Sequence, residues 1–184
     1  MLLNEELCQK ISRRIPHHSV GRYDLLPIFS DVTLFNEIID HLCKPYEGKV
    51  DCVLALEATG WILGVAMAQK LGVSFVPVRK GGKLPYPDEM IESVSLIDYS
   101  HEKKELCLKK DAIASGARVL IVDEWIETGS QLRAAIDLIK KFDCEIIGAA
   151  TISIRGEENK KQNREWIASG FVHAVGISIR RFES

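Results

Sequence analysis

Residues 119–132, VLIVDEWIETGSQL, carry the strongest signal for fold and function in this chain of 184 residues. A short apolar run, of the kind found in strands buried on both faces, ends in two acids, Asp123 and Glu124. A Thr-Gly-Ser turn at residues 128–130 follows, and apolar side chains then recur at helical spacing up to residue 142. We therefore predict a buried strand, a polar turn and a helix, in that order.

This turn has a composition that suits phosphate binding. Backbone N–H groups at a helix N-terminus, with the helix dipole behind them, attract an anion, and the hydroxyls of Thr128 and Ser130 add donors. Asp123 and Glu124 can accept hydrogen bonds from sugar hydroxyls. The alternative is that Thr128 or Ser130 only caps the helix while the acids form a solvated turn. Taken alone, the turn fits both interpretations.

A second buried-strand pattern lies upstream and forms a complete βαβ unit. Its parts are a strand at residues 50–56, a helix at 61–72 that ends in glycine, and a strand at 73–78. Ligands bind beyond the carboxyl ends of parallel strands. We therefore expect the loops at residues 57–60 and 79–87 to lie at the ligand-binding edge of the sheet.

The other segments complete one α/β domain. The remaining predicted elements are helices at 3–15 and 33–42, a strand pair at 93–98 and 105–108 around a polar loop, a strand at 145–154, a polar helix at 157–169, and a strand at 171–177. Apolar residues make up 46% and charged residues 27% of the chain, which is the balance of an ordinary soluble domain.

Charge and cysteine usage exclude several classes of protein. Lys and Arg total 24 against 26 Asp and Glu, so the net charge of -2 provides no basic field for nucleic acid. The five cysteines are scattered without CxxC spacing, which argues against a disulfide framework or a zinc site and favours a reducing cytoplasm. Acids near the start and the lack of a long apolar run predict no signal peptide and no membrane partner.

Three further segments occur in an informative order around this pattern: LALEATGWILGVAMAQKLGVSFVPVRKGGKLP at 54–85, VSLIDYS at 94–100 and ELCLKKDAI at 105–113. Together with residues 119–132, they resemble the type I phosphoribosyltransferase family, most closely adenine phosphoribosyltransferase. The resemblance implies a twisted, mainly parallel α/β sheet flanked by helices, with a small N-terminal hood and a flexible loop. It also implies a single domain over residues 1–184, in which residues 1–32 form the N-terminal helix and hood segment.

The same resemblance implies a purine salvage reaction. A glycosyltransferase of this kind transfers the phosphoribosyl group of phosphoribosyl pyrophosphate (PRPP) to adenine and releases AMP and pyrophosphate. Mg2+ is implied as a cofactor that is bound mainly through PRPP, with no metal ligand assigned to the protein. The expected partners are PRPP, a purine base and a second copy of the chain in a cytoplasmic homodimer.

The resemblance assigns roles to residues in each segment. The residues implied to bind the ribose of PRPP are Asp123 and Glu124. Those implied to bind the 5-phosphate are Glu127, Thr128, Gly129, Ser130 and Gln131. Those implied to bind pyrophosphate are Ala58, Thr59, Gly60, Arg79, Lys80 and Lys83. The base is assigned to Phe29, and catalytic roles are assigned to Asp98, Tyr99 and Glu127.

Departures from the family pattern keep two alternatives open. Thr59 stands where the family usually has an arginine, and residues 127–131 are ETGSQ where the family usually has ATGGT. These changes keep open the alternative of a regulatory protein of the same fold that binds PRPP or a nucleotide with little activity, beside the leading interpretation as an enzyme. Glu127 instead resembles the acid that faces the purine imidazole in 6-oxopurine phosphoribosyltransferases. The segment at 23–32 retains Phe29 but lacks the family's Pro-Gly pair and arginine.

Overall fold

A computed structural model describes residues 4–16, 23–97, 103–154 and 161–177 of the chain. The helices within these ranges are α1 (Glu5–Arg14), α2 (Leu26–Phe29), α3 (Val32–Cys43), α4 (Gly60–Leu71), α5 (Ser130–Ile139) and α6 (Lys161–Ser169). The strands are β1 (Cys52–Leu56), β2 (Ser74–Lys80), β3 (Ile91–Ile97), β4 (Lys103–Lys109), β5 (Ala117–Val122), β6 (Trp125–Ile126), β7 (Cys144–Ile154) and β8 (Val172–Ile177).

The described strands form one mixed sheet in the order β3-β4-β2-β1-β5-β7-β6, and β8 also pairs with β7. Strand β1 runs parallel to β2 and β5, and β7 runs parallel to β5, β6 and β8. Strands β3 and β4 form an antiparallel hairpin that joins the sheet through β2. The predicted mainly parallel α/β fold is therefore confirmed, and β1 and β5 lie at its centre.

Apolar cores cover both faces of the sheet, as the unbroken apolar pattern of the central strands predicts. In β1, Val53 and Ala55 belong to the core formed with α1, α3 and α4. The alternate residues Leu54 and Leu56 belong to the core that contains α5 and the hairpin. Because successive side chains of a strand point to opposite faces, a fully buried strand needs apolar residues at every position.

The N-terminal helices belong to the first of these cores. Leu7 and Ile11 of α1 and Ile28 of α2 are buried beside α3. Asp31 caps α3 by accepting a hydrogen bond from the backbone N–H of Leu34 at 3.1 Å, and its other carboxylate oxygen lies 2.5 Å from Arg14. Apolar burial therefore holds the described part of residues 1–32 against the sheet, while the ion pair links α1 to the start of α3.

The structure also corrects some element boundaries. Strand β2 continues through Lys80, so Arg79 and Lys80 pair with β4 instead of lying in a loop as predicted. Helix α2 and the two-residue strand β6 were not predicted from the sequence. The polar loop with Asp98 and Tyr99 lies outside the described residues. Among the residues that are described, no helix is both long and apolar enough to cross a membrane.

Candidate active site

The predicted ligand-binding segments meet at the carboxyl edge of the central strands. Strands β1 and β5 are parallel neighbours, so residues 57–60 and the acids after β5 emerge at the same edge. Gly60 begins α4 directly beside Asp123, where a Cβ added to the glycine would lie 3.1 Å from Asp123 Oδ1. Glycine therefore lets the start of α4 approach the first acid closely.

Asp123 is a buried acid at this edge, with only 7% of its surface exposed. Its Oδ1 accepts a hydrogen bond from the backbone N–H of Glu124 at 3.0 Å. Burial first, and then the neighbouring charge of Glu124, raise the pKa of Asp123 well above its ordinary value. A carboxyl group in this position is costly to ionise in the free protein, which marks it as a functional candidate.

The phosphate turn, defined here as residues 127–131, joins β6 to α5. Gly129 has a left-handed backbone conformation, with φ at +73°, immediately before the first residue of α5. The hydroxyls of Thr128 and Ser130 are 2.7 Å apart, and Thr128 Oγ1 accepts a hydrogen bond from the backbone N–H of Ser130 at 3.2 Å. Thr128 therefore satisfies one N–H at the helix start, as the capping alternative predicts. Gln131 follows in the first turn of α5 and is half-buried.

Arg133 is a cation beside the phosphate turn that sequence analysis did not single out. Its Nη2 lies 3.4 Å from the carbonyl oxygen of Thr128, and its backbone N–H donates to the carbonyl of Gly129 at 2.9 Å. A residue four positions after the glycine lies one helical turn further on. That spacing could have identified Arg133 as a neighbour of the phosphate turn.

Glu57 organises the basic side of the site and was also missed. Its side chain is only 8% exposed and accepts a hydrogen bond from the backbone N–H of Lys80 at 2.8 Å. It also pairs with Arg79 Nε at 3.3 Å and with the ammonium group of Lys83. Burial alone would raise the pKa of Glu57, but the hydrogen bonds from Lys83 and Lys80 and the charges of Lys83 and Arg79 hold it below its ordinary value.

Two other residues assigned to pyrophosphate, Ala58 and Thr59, follow Glu57 directly in the chain. Thr59 precedes α4 and makes no side-chain capping hydrogen bond, and Ala58 follows a cis peptide bond after Glu57. The guanidinium of Arg79 lies 5.1 Å from the ring centroid of Trp61, which gives it a second contact.

A cavity of about 470 Å³ opens beside the basic segment at residues 79–83 and is lined by Lys80, Gly81, Ser95, Lys104 and Glu105.

Two aromatic residues stack on each other beside the acids. Tyr23 stacks on Trp125, with ring centroids 4.6 Å apart and the ring planes inclined by 28°. Phe29, which was predicted to bind the base, makes an edge contact with Phe35, with ring centroids 5.9 Å apart. The stacked rings of Tyr23 and Trp125 therefore lie next to the segment that carries Asp123 and Glu124.

Within residues 4–16, 23–97, 103–154 and 161–177, no group of three or more His, Cys, Asp or Glu side chains is arranged to hold a metal ion. His41 and His173 stack with ring centroids 4.8 Å apart.

Comparison with known proteins gives this site its class. A phosphoribosyl transferase domain matches residues 32–177. The adenine phosphoribosyltransferase of Xanthomonas euvesicatoria pv. vesicatoria is 40% identical over 138 residues, which are 74% of this chain and 72% of that protein. The enzyme of the same name from Thermotoga maritima is 40% identical over 136 residues, covering 73% and 76% of the two chains.

Solved structures agree with the sequence matches. The adenine phosphoribosyltransferase of Rhodothermus marinus superposes with a TM-score of 0.79 at 29% identity, covering 95% of this chain and 99% of that chain. The Saccharomyces cerevisiae enzyme superposes with a TM-score of 0.73 at 26% identity, covering 96% and 99%. The fold and the site define a phosphoribosyltransferase. Within that class, the chain belongs to the adenine phosphoribosyltransferase family.

We expect Glu57→Gln to lower the melting temperature at pH 7, because the amide cannot stabilise the cations of Arg79 and Lys83. The cost should be about 1 kcal/mol, since Lys83 is 45% exposed and water screens its charge. The lowered pKa means that Glu57 contributes stability above its ordinary pKa of 4.5 and loses it as the pH falls through the folded value. Thermal melts of both proteins should therefore converge below pH 4.5.

The control for this prediction is Glu6→Gln. Glu6 pairs with Lys10 at 3.2 Å, but its side chain is 81% exposed, so its replacement should leave the melting temperature nearly unchanged. Equal melting temperatures for wild-type protein and Glu57→Gln at pH 7 would show that Glu57 does not hold the basic segment.

Proposed function

We propose that the protein transfers the phosphoribosyl group of PRPP to adenine, forming AMP and releasing pyrophosphate. One observation carries this proposal: the edge formed by β1, β2 and β5 brings together an acid pair, a phosphate turn and a basic segment. These are the groups needed for the ribose, the 5-phosphate and the pyrophosphate of a single substrate. The yeast relative was solved with adenine and an imino-altritol bisphosphate, which supports both adenine and a doubly phosphorylated sugar as the ligand classes.

Each group has a defined task in this reaction. Asp123 and Glu124 accept hydrogen bonds from the ribose hydroxyls, while the N–H groups and hydroxyls of residues 127–131 hold the 5-phosphate. Arg79, Lys80 and Lys83 neutralise the leaving pyrophosphate as the bond to the ribose carbon breaks. Positive charge develops on the ribose as this bond breaks, a base nitrogen attacks the same carbon to form the new bond, and the proton of the base is released to pyrophosphate or water. Asp98 and Tyr99 are proposed as catalytic residues of the adjoining loop.

Mg2+ is proposed as a cofactor that enters mainly with PRPP. Magnesium prefers oxygen ligands, keeps several waters and usually binds through substrate phosphates with one or two carboxylates. The carboxylates of Asp123 and Glu124 at the sheet edge are hard oxygen donors that fit this chemistry. When bound, the ion would neutralise pyrophosphate charge, while the basic residues orient the same leaving group.

The base is proposed to bind on the aromatic side of the site. Tyr23 and Trp125 provide ring surface next to the acids, and Phe29 extends the apolar region from α2. Aromatic rings favour offset stacking with flat ligands, which suits a purine. This arrangement supports a purine base as the acceptor.

A regulatory protein of the same fold is the second candidate. It is favoured by Thr59, which provides no cation, and by Glu57, which already pairs with Arg79 and Lys83. Both features reduce the charge available for pyrophosphate. A protein of this kind would bind PRPP or AMP and turn over slowly.

Nucleotide binding tests the proposed site directly. Calorimetric titration with AMP, adenosine and IMP separates the contributions of the phosphate and the base. We expect AMP to bind at least about tenfold more tightly than adenosine, which lacks only the phosphate, and more tightly than IMP. Equal affinity for AMP and adenosine would contradict the phosphate turn, and preference for IMP would favour the 6-oxopurine alternative.

Glu127 is proposed to face the base or the ribose. A carboxylate packed against the 5-phosphate would be repelled, so its side chain should point to the base side, where an imidazole N–H can pair with it. We expect Glu127→Ala to change the KM for adenine or kcat clearly while changing the melting temperature little. If the kinetics toward every accepted base stay at the wild-type level, Glu127 serves only as an acid at the helix start.

A homodimer is proposed for the assembled protein. Large apolar side chains are exposed near one another in sequence on α4, where Ile62 is 45% and Val65 is 49% exposed. Leu26 and Val32, at 69% and 70% exposed, add further apolar surface at α2 and α3. Such surface favours association. Light scattering should give twice the chain mass, and Ile62→Asp with Val65→Asp should shift the protein toward the monomer.

A further inference from the structure

Helix α6 contacts the phosphate turn through a buried amide. Asn163 is fully buried, and its Nδ2 donates a hydrogen bond to the backbone carbonyl of Glu127 at 2.9 Å. Trp166, one helical turn further along α6, is also buried, whereas Gln162, Arg164 and Glu165 are exposed. The buried face of α6 is thus the face that reaches the turn, and Asn163 makes a polar contact with the backbone of the turn.

The same face packs against Gly129. A Cβ added to this glycine would lie 2.5 Å from Asn163 Oδ1 and 2.8 Å from Trp166 Cζ3, so both side chains already touch the glycine backbone. Helix α6 therefore closes one side of the turn. An anion has to approach the turn from the opposite, open side.

The hydrogen bond from Asn163 determines how one peptide unit of the turn is oriented. The peptide bond between Glu127 and Thr128 is trans. Among the described residues, only the bond between Glu57 and Ala58 is cis. In a trans peptide, the carbonyl and the N–H point in opposite directions. Because Asn163 holds the Glu127 carbonyl on the α6 side, the N–H of Thr128 is directed to the open side of the turn.

We propose that Asn163 is a positioning residue for substrate phosphate, and this inference rests on the proposed function. By holding the carbonyl of Glu127, it presents the N–H of Thr128 to the 5-phosphate of PRPP. The orientation matters because the N–H of the nearby Ser130 already donates to the Thr128 hydroxyl. A preorganised donor binds an anion without the cost of reorienting the turn. The ligand class is a sugar 5-phosphate, and neither the base nor pyrophosphate is involved.

Calorimetry with ribose 5-phosphate tests this role, because that ligand carries the phosphate without a base or pyrophosphate. We compare wild-type protein with Asn163→Leu, which retains a similar volume but cannot donate a hydrogen bond. The matched control, Gln162→Leu, makes the same kind of change at an exposed position of α6. We expect Asn163→Leu to raise the Kd for ribose 5-phosphate about tenfold, and the control to change it less than about twofold.

Steady-state kinetics separate positioning from general damage to the site. Asn163→Leu should raise the KM for PRPP by a similar factor, while the KM for adenine stays within about twofold of wild type. Equal increases in both KM values would indicate a general structural role and overturn the inference. Wild-type affinity of Asn163→Leu for ribose 5-phosphate would overturn it as well.

An NMR titration of wild-type protein keeps the test decisive if Asn163→Leu does not fold. On saturation with ribose 5-phosphate, the amide proton of Thr128 should shift downfield by more than that of the Gly170 amide, which lies at the far end of α6. Binding without a shift at Thr128 would overturn the role of Asn163 and leave the proposed function intact. Failure of wild-type protein to bind ribose 5-phosphate would overturn the proposed function, and the inference with it.

Discussion

Asp123→Asn should weaken PRPP binding by about ten- to a hundredfold and, at the same time, raise the melting temperature of the free protein. A charge-assisted hydrogen bond is worth about 1.5–3 kcal/mol, which sets the loss in affinity. Glu124→Gln should weaken PRPP binding by a similar factor. Neither change alters side-chain volume, so the fold should be retained. Calorimetric PRPP titrations and thermal melts at pH 7 measure both effects.

The gain in stability follows from the raised pKa of Asp123. Burial and the adjacent charge of Glu124 oppose ionisation in the folded state, whereas the unfolded chain ionises freely. At every pH at which Asp123 is ionised in the unfolded chain, the free protein is therefore destabilised. It regains this stability as the pH falls through the raised pKa that Asp123 has in the folded state. An asparagine removes this cost at every pH. A tenfold difference in the ionisation equilibrium between the folded and unfolded states corresponds to about 1.4 kcal/mol, and a chain of this size gains roughly 2–4 °C in melting temperature per kcal/mol.

Asp51→Asn is the matched control, since it makes the same substitution at the opposite end of the sheet. Asp51 precedes β1 and forms an ion pair with Arg118 at 2.8 Å, which lowers its pKa to about 2. Its contribution to stability is present above its ordinary pKa of 3.8 and is lost as the pH falls toward 2. Asp51→Asn should therefore lower the melting temperature at pH 7 and leave PRPP affinity unchanged. Unchanged PRPP affinity in both Asp123→Asn and Glu124→Gln would refute their role in binding ribose.

Gly129→Ala should reduce kcat/KM for PRPP by at least about a hundredfold. The left-handed φ of +73° is strained for alanine by about 1–2 kcal/mol, and the new Cβ would lie 2.5 Å from Asn163 Oδ1. The turn has to move away from α6 to relieve this contact. Displacement of a substrate-binding group by about 1 Å can cost a hundredfold in rate. Steady-state kinetics and thermal melts of the variant measure the effect.

Gly116→Ala separates backbone strain from the steric clash. Gly116 has nearly the same conformation, with φ at +74°, but an added Cβ there would meet nothing within 4 Å. It should lose about 1–2 kcal/mol of stability and keep its kinetics. If Gly129→Ala shows only the stability loss of the control, the phosphate turn does not bind substrate as proposed.

Much of the fold follows from apolar patterns in the sequence. Strands β1 and β5 were predicted because continuous apolar runs of this length are typical of strands buried on both faces. The two-residue strand β6 and the four-residue helix α2 could not be predicted, since periodicity needs a longer segment. The end of β2 was placed too early because the pairing of Arg79 and Lys80 with β4 depends on a distant segment.

The candidate site was predictable only in part, because some of its contacts join residues that are far apart in the sequence. Parallel strands bring their carboxyl ends to one edge, so residues 57–60 and Asp123 could be expected to meet there. The contact of Asn163 with Glu127 joins residues 36 positions apart, and no local pattern signals it. The same holds for the stacking of Tyr23 on Trp125. The sequence did carry a weak signal for the role of Glu57. This acid directly follows one predicted buried strand, and three cations follow the next predicted strand.

Turnover with a panel of bases tests the central claim most directly. Protein, PRPP and Mg2+ are incubated separately with adenine, hypoxanthine, guanine, xanthine or orotate, and nucleotide and pyrophosphate are measured, with Asp123→Asn as the impaired control. We predict AMP and pyrophosphate in equal amounts with adenine, and far slower product formation with the other bases. Robust turnover of guanine or hypoxanthine with none of adenine would contradict the assignment.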